Sequence, residues 1–103
     1  MTNALIVKQI VNCFKNGGKA LICGNGGSMA MASHMMAEFI GIYENKRALP
    51  AIALTDITTM SALANDVGYK NVFSRQVEAL GKKGDCLIVF STSGQSNNVI
   101  EAM

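Results

Sequence analysis

The chain has 103 residues, half of them hydrophobic, with nine basic and seven acidic side chains and a formal net charge of +2. That is apolar material for one small core, at a length where burial barely offsets chain entropy and help from neighbouring chains is useful. The charges are spread rather than gathered into a basic stripe, no leader-like segment opens the chain and no run of about 18 apolar residues is present, so nucleic-acid binding, export and membrane insertion are not expected. Cys13, Cys23 and Cys86 are odd in number, far apart and set among apolar residues, which fits reduced core thiols and a cytoplasmic location.

Asn3 can cap a first helix whose apolar positions Leu5, Ile6, Ile10, Val11 and Phe14 recur at roughly helical spacing, ended by Gly17 and Gly18. "KALICG" (19–24) is a short apolar run closed by glycine, the pattern of a strand covered on both faces. A methionine-rich helix is expected over 28–43, with Ser28 as its N-cap. Pro50 introduces a second buried strand, "AIALT" (51–55). Helices follow at 58–66 and 71–81, the latter stopped by Gly81. "DCLIVFS" (85–91) is the third strand, and "NNVIEAM" opens a last helix after the turn "TSGQS". Alternating strands and helices imply parallel strands with crossover helices, a three-layer α/β/α sandwich of flavodoxin-like type.

In such a sheet ligands sit beyond the carboxyl ends of the strands, and two loops there have suitable chemistry. In "GNGGS" (24–28), glycines let backbone amides approach a ligand, and Ser28 adds a hydroxyl at a helix start. "STSGQS" (91–96) gathers Ser91, Thr92, Ser93 and Ser96 around a glycine. Either loop alone also reads as a tight turn with capping hydroxyls. Two at equivalent strand ends point towards phosphate. Neither follows the Walker pattern, and the first lacks the full dinucleotide fingerprint, so a nucleotide is not the expected ligand.

"GNGGS", then His34 and Glu38, then "LPAIALT", "ANDVGYKNVFSRQVEALGKKGD" and "STSGQS", in this order and spacing, resemble the sugar isomerase (SIS) domain family. Within it they look most like the phosphoheptose isomerases. The resemblance runs from about residue 3 to the end and covers the front half of the family's domain, so residues 1–103 are expected to be the N-terminal portion of a single SIS domain. It implies an aldose–ketose isomerase that interconverts sedoheptulose 7-phosphate and a manno-heptose 7-phosphate for surface glycans such as lipopolysaccharide, assembled as a homotetramer.

Residues four apart share a helix face, so His34 and Glu38 can point together towards the two loops, or simply form a surface pair. The resemblance implies that both bind zinc and that Glu38 is also the catalytic group that moves the substrate proton. It implies substrate contacts from Asn25, Gly26, Gly27, Ser28, Glu38, Asn65 and Asp66, and a phosphate loop from Ser91, Thr92, Ser93 and Ser96. Asn65 and Asp66 read equally well as a helix C-terminal turn. Two zinc ligands fall short of the usual three or four; by the same resemblance a glutamine and a second histidine from the family's other half complete the set, so little turnover is expected from these residues alone. Gly41-Ile42-Tyr43 departs from the family's Gly-Arg-aromatic, and Met29 and Met31, unusual at their positions, read best as core or interface filling. The alternative is a non-catalytic SIS-domain binding protein, such as a factor associating with the replication initiator or a sugar-phosphate sensor. The family's initiator-associating members lack the glutamate at the position of Glu38, which favours the enzyme.

Overall fold

The computed structural model describes residues 2–103. Its elements run α1 (Asn3–Lys15), β1 (Ala20–Gly24), α2 (Gly27–Ile40), β2 (Ala51–Ala53), α3 (Ile57–Asp66), α4 (Val72–Leu80), β3 (Cys86–Phe90) and α5 (Asn97–Ala102). The three strands form a parallel sheet in the order β2-β1-β3. β1 is bonded along both edges, with Ala20 opposite Ala51 on one side and Cys86 on the other. Its side chains alternate between two cores. Leu21 and Cys23 pack with Phe73, Val72 and Val99 under α3, α4 and α5. Ala20 and Ile22 pack with Ala32, Met36 and Phe39 of α2 and with Phe14 of α1. The expected three-layer α/β/α architecture is therefore present.

Element ends differ from the sequence expectation where a cap decides them. α1 is capped by Thr2, whose hydroxyl accepts from Leu5 N at 3.2 Å, so Asn3 lies inside the helix. α2 stops at Ile40 rather than at residue 43, because Gly41 takes an extended conformation. There the Lys46 ammonium donates to the carbonyls of Phe39 and Gly41, a cation at the negative end of the helix. β2 ends at Ala53: Leu54 N still bonds Ile22 O (2.8 Å), but Thr55 N folds back onto Ala53 O (2.9 Å). Asp56 then caps α3, accepting from Thr59 N at 2.9 Å and Thr59 Oγ1 at 2.7 Å. The cysteines are free thiols, as expected. Burial pushes Cys23 up to about 11, and burial with a neighbouring Cys13 pushes Cys86 up to about 12, so both stay protonated.

α1 is anchored at one end only. Cys13 is its single buried residue, and Phe14 meets Phe39 edge-on with ring centroids 5.2 Å apart, whereas Leu5, Ile6, Val7 and Val11 are exposed.

Lys19 and Asp85 pin the amino ends of the two paired strands β1 and β3. Asp85 accepts from Lys19 Nζ at 2.6 Å, from Lys19 N at 3.0 Å and from Lys82 N at 2.8 Å. Burial opposes its ionisation, but these hydrogen bonds and the ammonium charge prevail and hold the carboxyl at about 2, below its ordinary 3.8. A depressed folded-state value stabilises the fold above the unfolded value, and that contribution disappears as pH falls through the folded one. We predict that Asp85→Asn lowers unfolding free energy at pH 7 by roughly 1–3 kcal/mol. The difference from the wild type should shrink between pH 5 and pH 2 in urea titrations.

Candidate functional site

β1 and β3 are neighbours, yet α2 leaves β1 towards one face of the sheet and α5 leaves β3 towards the other. The loops that start these helices are therefore left side by side at the carboxyl edge. The first loop turns sharply because of its glycines. A Cβ on Gly24 would lie 2.8 Å from both Phe90 O and Ser28 Cβ, so only glycine lets β1, β3 and α2 approach here. Gly26, at φ 56° and ψ −122°, is the N-cap of α2 and adopts a conformation that side chains resist. Ser28, expected as the cap, lies within the first helical turn instead.

Asn25 does not hang free in this loop. Its amide exchanges two hydrogen bonds with Asn98 at 2.8 and 2.9 Å, and its Oδ1 also accepts from the Tyr69 hydroxyl at 2.8 Å. Sequence reasoning missed both partners. A signal for Asn98 exists, since Asn98 and Val99 lead to Ala102 along the buried side of α5, and an asparagine in a core-facing position demands a polar partner. Tyr69 carried no comparable mark.

In the serine loop, Ser91 Oγ accepts from Gly94 N at 3.0 Å and Ser93 Oγ accepts from Gln95 N at 3.1 Å, with the two hydroxyls 3.5 Å apart. A hydroxyl that accepts from the backbone keeps its own proton to donate, so both suit an anion. Thr92 is exposed and Ser96 half-buried beside them.

His34 and Glu38 stand one turn apart on α2, Nε2 to Oε1 3.3 Å, at 73% and 57% side-chain exposure. They line a groove of about 260 Å³ whose apolar walls include Met31, Phe39 and Phe90. Phe90 ends β3, so the groove adjoins the start of the serine loop. The pair suits zinc in kind and falls short in number: among the described residues no group of three or more His, Cys, Asp or Glu side chains is placed to hold a metal ion. Asn65 and Asp66 close α3, exposed and hydrogen-bonded to each other at 3.1 Å. A separate cleft of about 380 Å³ between β2, α3 and α4 contains none of these side chains.

A family model described as "SIS domain" matches residues 4–103. The chain belongs to the SIS domain family. Curated relatives include a phosphoheptose isomerase of Roseiflexus sp., 54% identical over 100 residues, which cover 95% of this chain and 51% of that protein. Phosphoheptose isomerase 1 of Campylobacter jejuni is 55% identical over 102 residues, covering 97% and 55%. The structure of phosphoheptose isomerase GmhA from Neisseria gonorrhoeae superposes with a TM-score of 0.89 at 48% identity, over 96% of this chain and 52% of that one. A phosphoheptose isomerase from Francisella tularensis gives 0.92 at 42% identity, over 96% and 53%. This SIS domain chain spans about half the length of the relatives it matches.

An exposed imidazole–carboxylate pair at i, i+4 adds little to a helix. In this SIS domain chain, His34→Ala and Glu38→Gln are each predicted to change unfolding free energy by less than about 0.5 kcal/mol. A loss of several kcal/mol in urea titrations would make them structural.

Proposed function

We propose that residues 1–103 are the N-terminal portion of one SIS domain in an aldose–ketose isomerase that converts sedoheptulose 7-phosphate to D-glycero-D-manno-heptose 7-phosphate. The observation that supports this reading is that the glycine loop and the serine loop follow the neighbouring strands β1 and β3, while Phe90, the last residue of β3, lines the groove that also holds His34 and Glu38. The names of the relatives support it.

In this reading the phosphate lies on Ser91, Thr92, Ser93 and Ser96, with Ser91 and Ser93 donating the protons their backbone partners leave free. The sugar runs towards Asn25, Gly26, Gly27 and Ser28, with Asn65 and Asp66 at its border. Glu38 removes a proton from C1 of the ketose, giving an enediol, and returns it to C2 while the hydroxyl proton moves between the two oxygens. Zinc belongs to the same proposal: His34 and Glu38 are two of its ligands, and further donors come from the part of the relatives' length outside these residues. When bound, it supplies charge stabilisation at the carbonyl oxygen.

The same reading includes a homotetramer, supported by the apolar exposed surface of α1. It places the reaction in the cytoplasm, as a step towards heptose-containing surface glycans. No helix among the described residues is long and apolar enough to cross a membrane.

Calorimetric titration with sedoheptulose 7-phosphate tests the site. Ser91→Ala and Ser93→Ala should each weaken binding by about 1.5–3 kcal/mol, the value of a hydrogen bond to a charged group. Unchanged affinity would remove the phosphate loop. In a protein of the relatives' full length, Glu38→Gln should keep binding and lose formation of the aldose, because the near-isosteric amide accepts no proton. Full turnover in that variant would remove Glu38 from the mechanism.

A further inference from the structure

Asn25 leads from β1 into the glycine loop, Asn98 is the second residue of α5 beyond the serine loop, and Tyr69 opens the short turn Tyr69–Asn71 after α3. Their side chains meet in one network. Asn25 Nδ2 donates to Asn98 Oδ1 (2.8 Å), Asn98 Nδ2 donates to Asn25 Oδ1 (2.9 Å), and the Tyr69 hydroxyl donates to that same oxygen (2.8 Å). Asn98 is only 2% exposed, and a buried amide is costly unless bonded, so the pairing is strongly enforced. Both lone pairs of Asn25 Oδ1 are used, as is one of its two Nδ2 protons. A single N–H of that amide is left over. Three bonds from two elements fix the position and plane of the Asn25 amide.

We propose that Tyr69 and Asn98 are positioning residues for the phosphosugar site. They hold the Asn25 amide in one position and plane for the sugar to meet. They also tie the glycine loop to the start of α5, holding the two loops at a set separation before any ligand arrives. The proposal rests on the phosphosugar reading above. A ligand with its phosphate on one loop and its sugar on the other gains from that pre-organisation. An anion that touches the serine loop alone does not.

The two ligand types separate the outcomes. Tyr69→Phe keeps the exposed ring and removes only the hydroxyl; Asn98→Asp keeps the size and one acceptor and removes the donor. Wild type and both variants are titrated by calorimetry with sedoheptulose 7-phosphate and, separately, with inorganic phosphate, after thermal melts have established folding. Each folded variant is expected to bind sedoheptulose 7-phosphate about fivefold to tenfold more weakly, the equivalent of one hydrogen bond, while inorganic phosphate changes less than about twofold. Equal losses for both ligands, or no loss for the phosphosugar, overturn the positioning role and leave the phosphosugar site standing. Failure of the wild type to bind either ligand overturns the site and the role together. If Asn98→Asp does not fold, Tyr69→Phe decides alone. A ligand-free readout accompanies it: the Asn25 side-chain amide proton bonded to Asn98 should exchange slowly in the wild type and on the order of tenfold faster in Tyr69→Phe. Fast exchange in the wild type overturns the clamp itself.

Discussion

Everything in this domain depends on the double pairing of β1. Ala20–Gly24 is buried at every position, bonded to β2 along one edge and to β3 along the other, and packed on both faces. A strand so placed can offer only small or apolar side chains. The crossovers from β1 to β2 and from β2 to β3 run in opposite directions, so α2 lies on one face and α3 and α4 on the other, where α5 also packs. The loops that start α2 and α5 therefore lie side by side at the carboxyl ends of β1 and β3. Gly24 shows how tight the arrangement is, since the strand end, the first turn of α2 and the Phe90 carbonyl leave no room for a Cβ.

Upon this frame the chemistry divides into rigid and adaptable parts. The glycine loop is held from two sides, by the Asn25–Asn98 amide pair and by Tyr69. The serine loop's side-chain bonds among the described residues run within the loop, through hydroxyls that accept from Gly94 and Gln95. The His34–Glu38 pair stands in solvent on one rigid helix, above an apolar wall. A held loop thus stands beside one whose internal hydroxyl bonds can be exchanged for others.

The strand–helix alternation was legible because each strand is a short apolar run bounded by glycine or proline, and because the helical segments repeat their apolar residues at helical spacing. The two loops were legible through their glycines and hydroxyls. Caps were less so: Thr2 and Asn3 are both competent, and only the bond from Leu5 N decides between them. Ser28 looked like a cap by type, but the backbone turn at Gly26 starts the helix earlier. The Asn25–Asn98 bond joins residues 73 positions apart, and no local pattern predicts which distant amide a loop asparagine will meet. The length of β2 was overestimated because "AIALT" remains apolar past the point where Thr55 turns back on Ala53.

The double pairing also sets a timetable for a chain emerging from the ribosome. β1 is complete at residue 24, but its partner on one side begins at Ala51 and the other only at Cys86. Loop-closure entropy must be met before either parallel pairing gives any return. Until Phe90 has been synthesised, the apolar "ALICG" strand and the methionine-rich helix behind it lack β3 as a partner. Nascent chains of this domain therefore leave this strand without its second partner until β3 follows, and a chaperone that recognises short apolar runs would find it there.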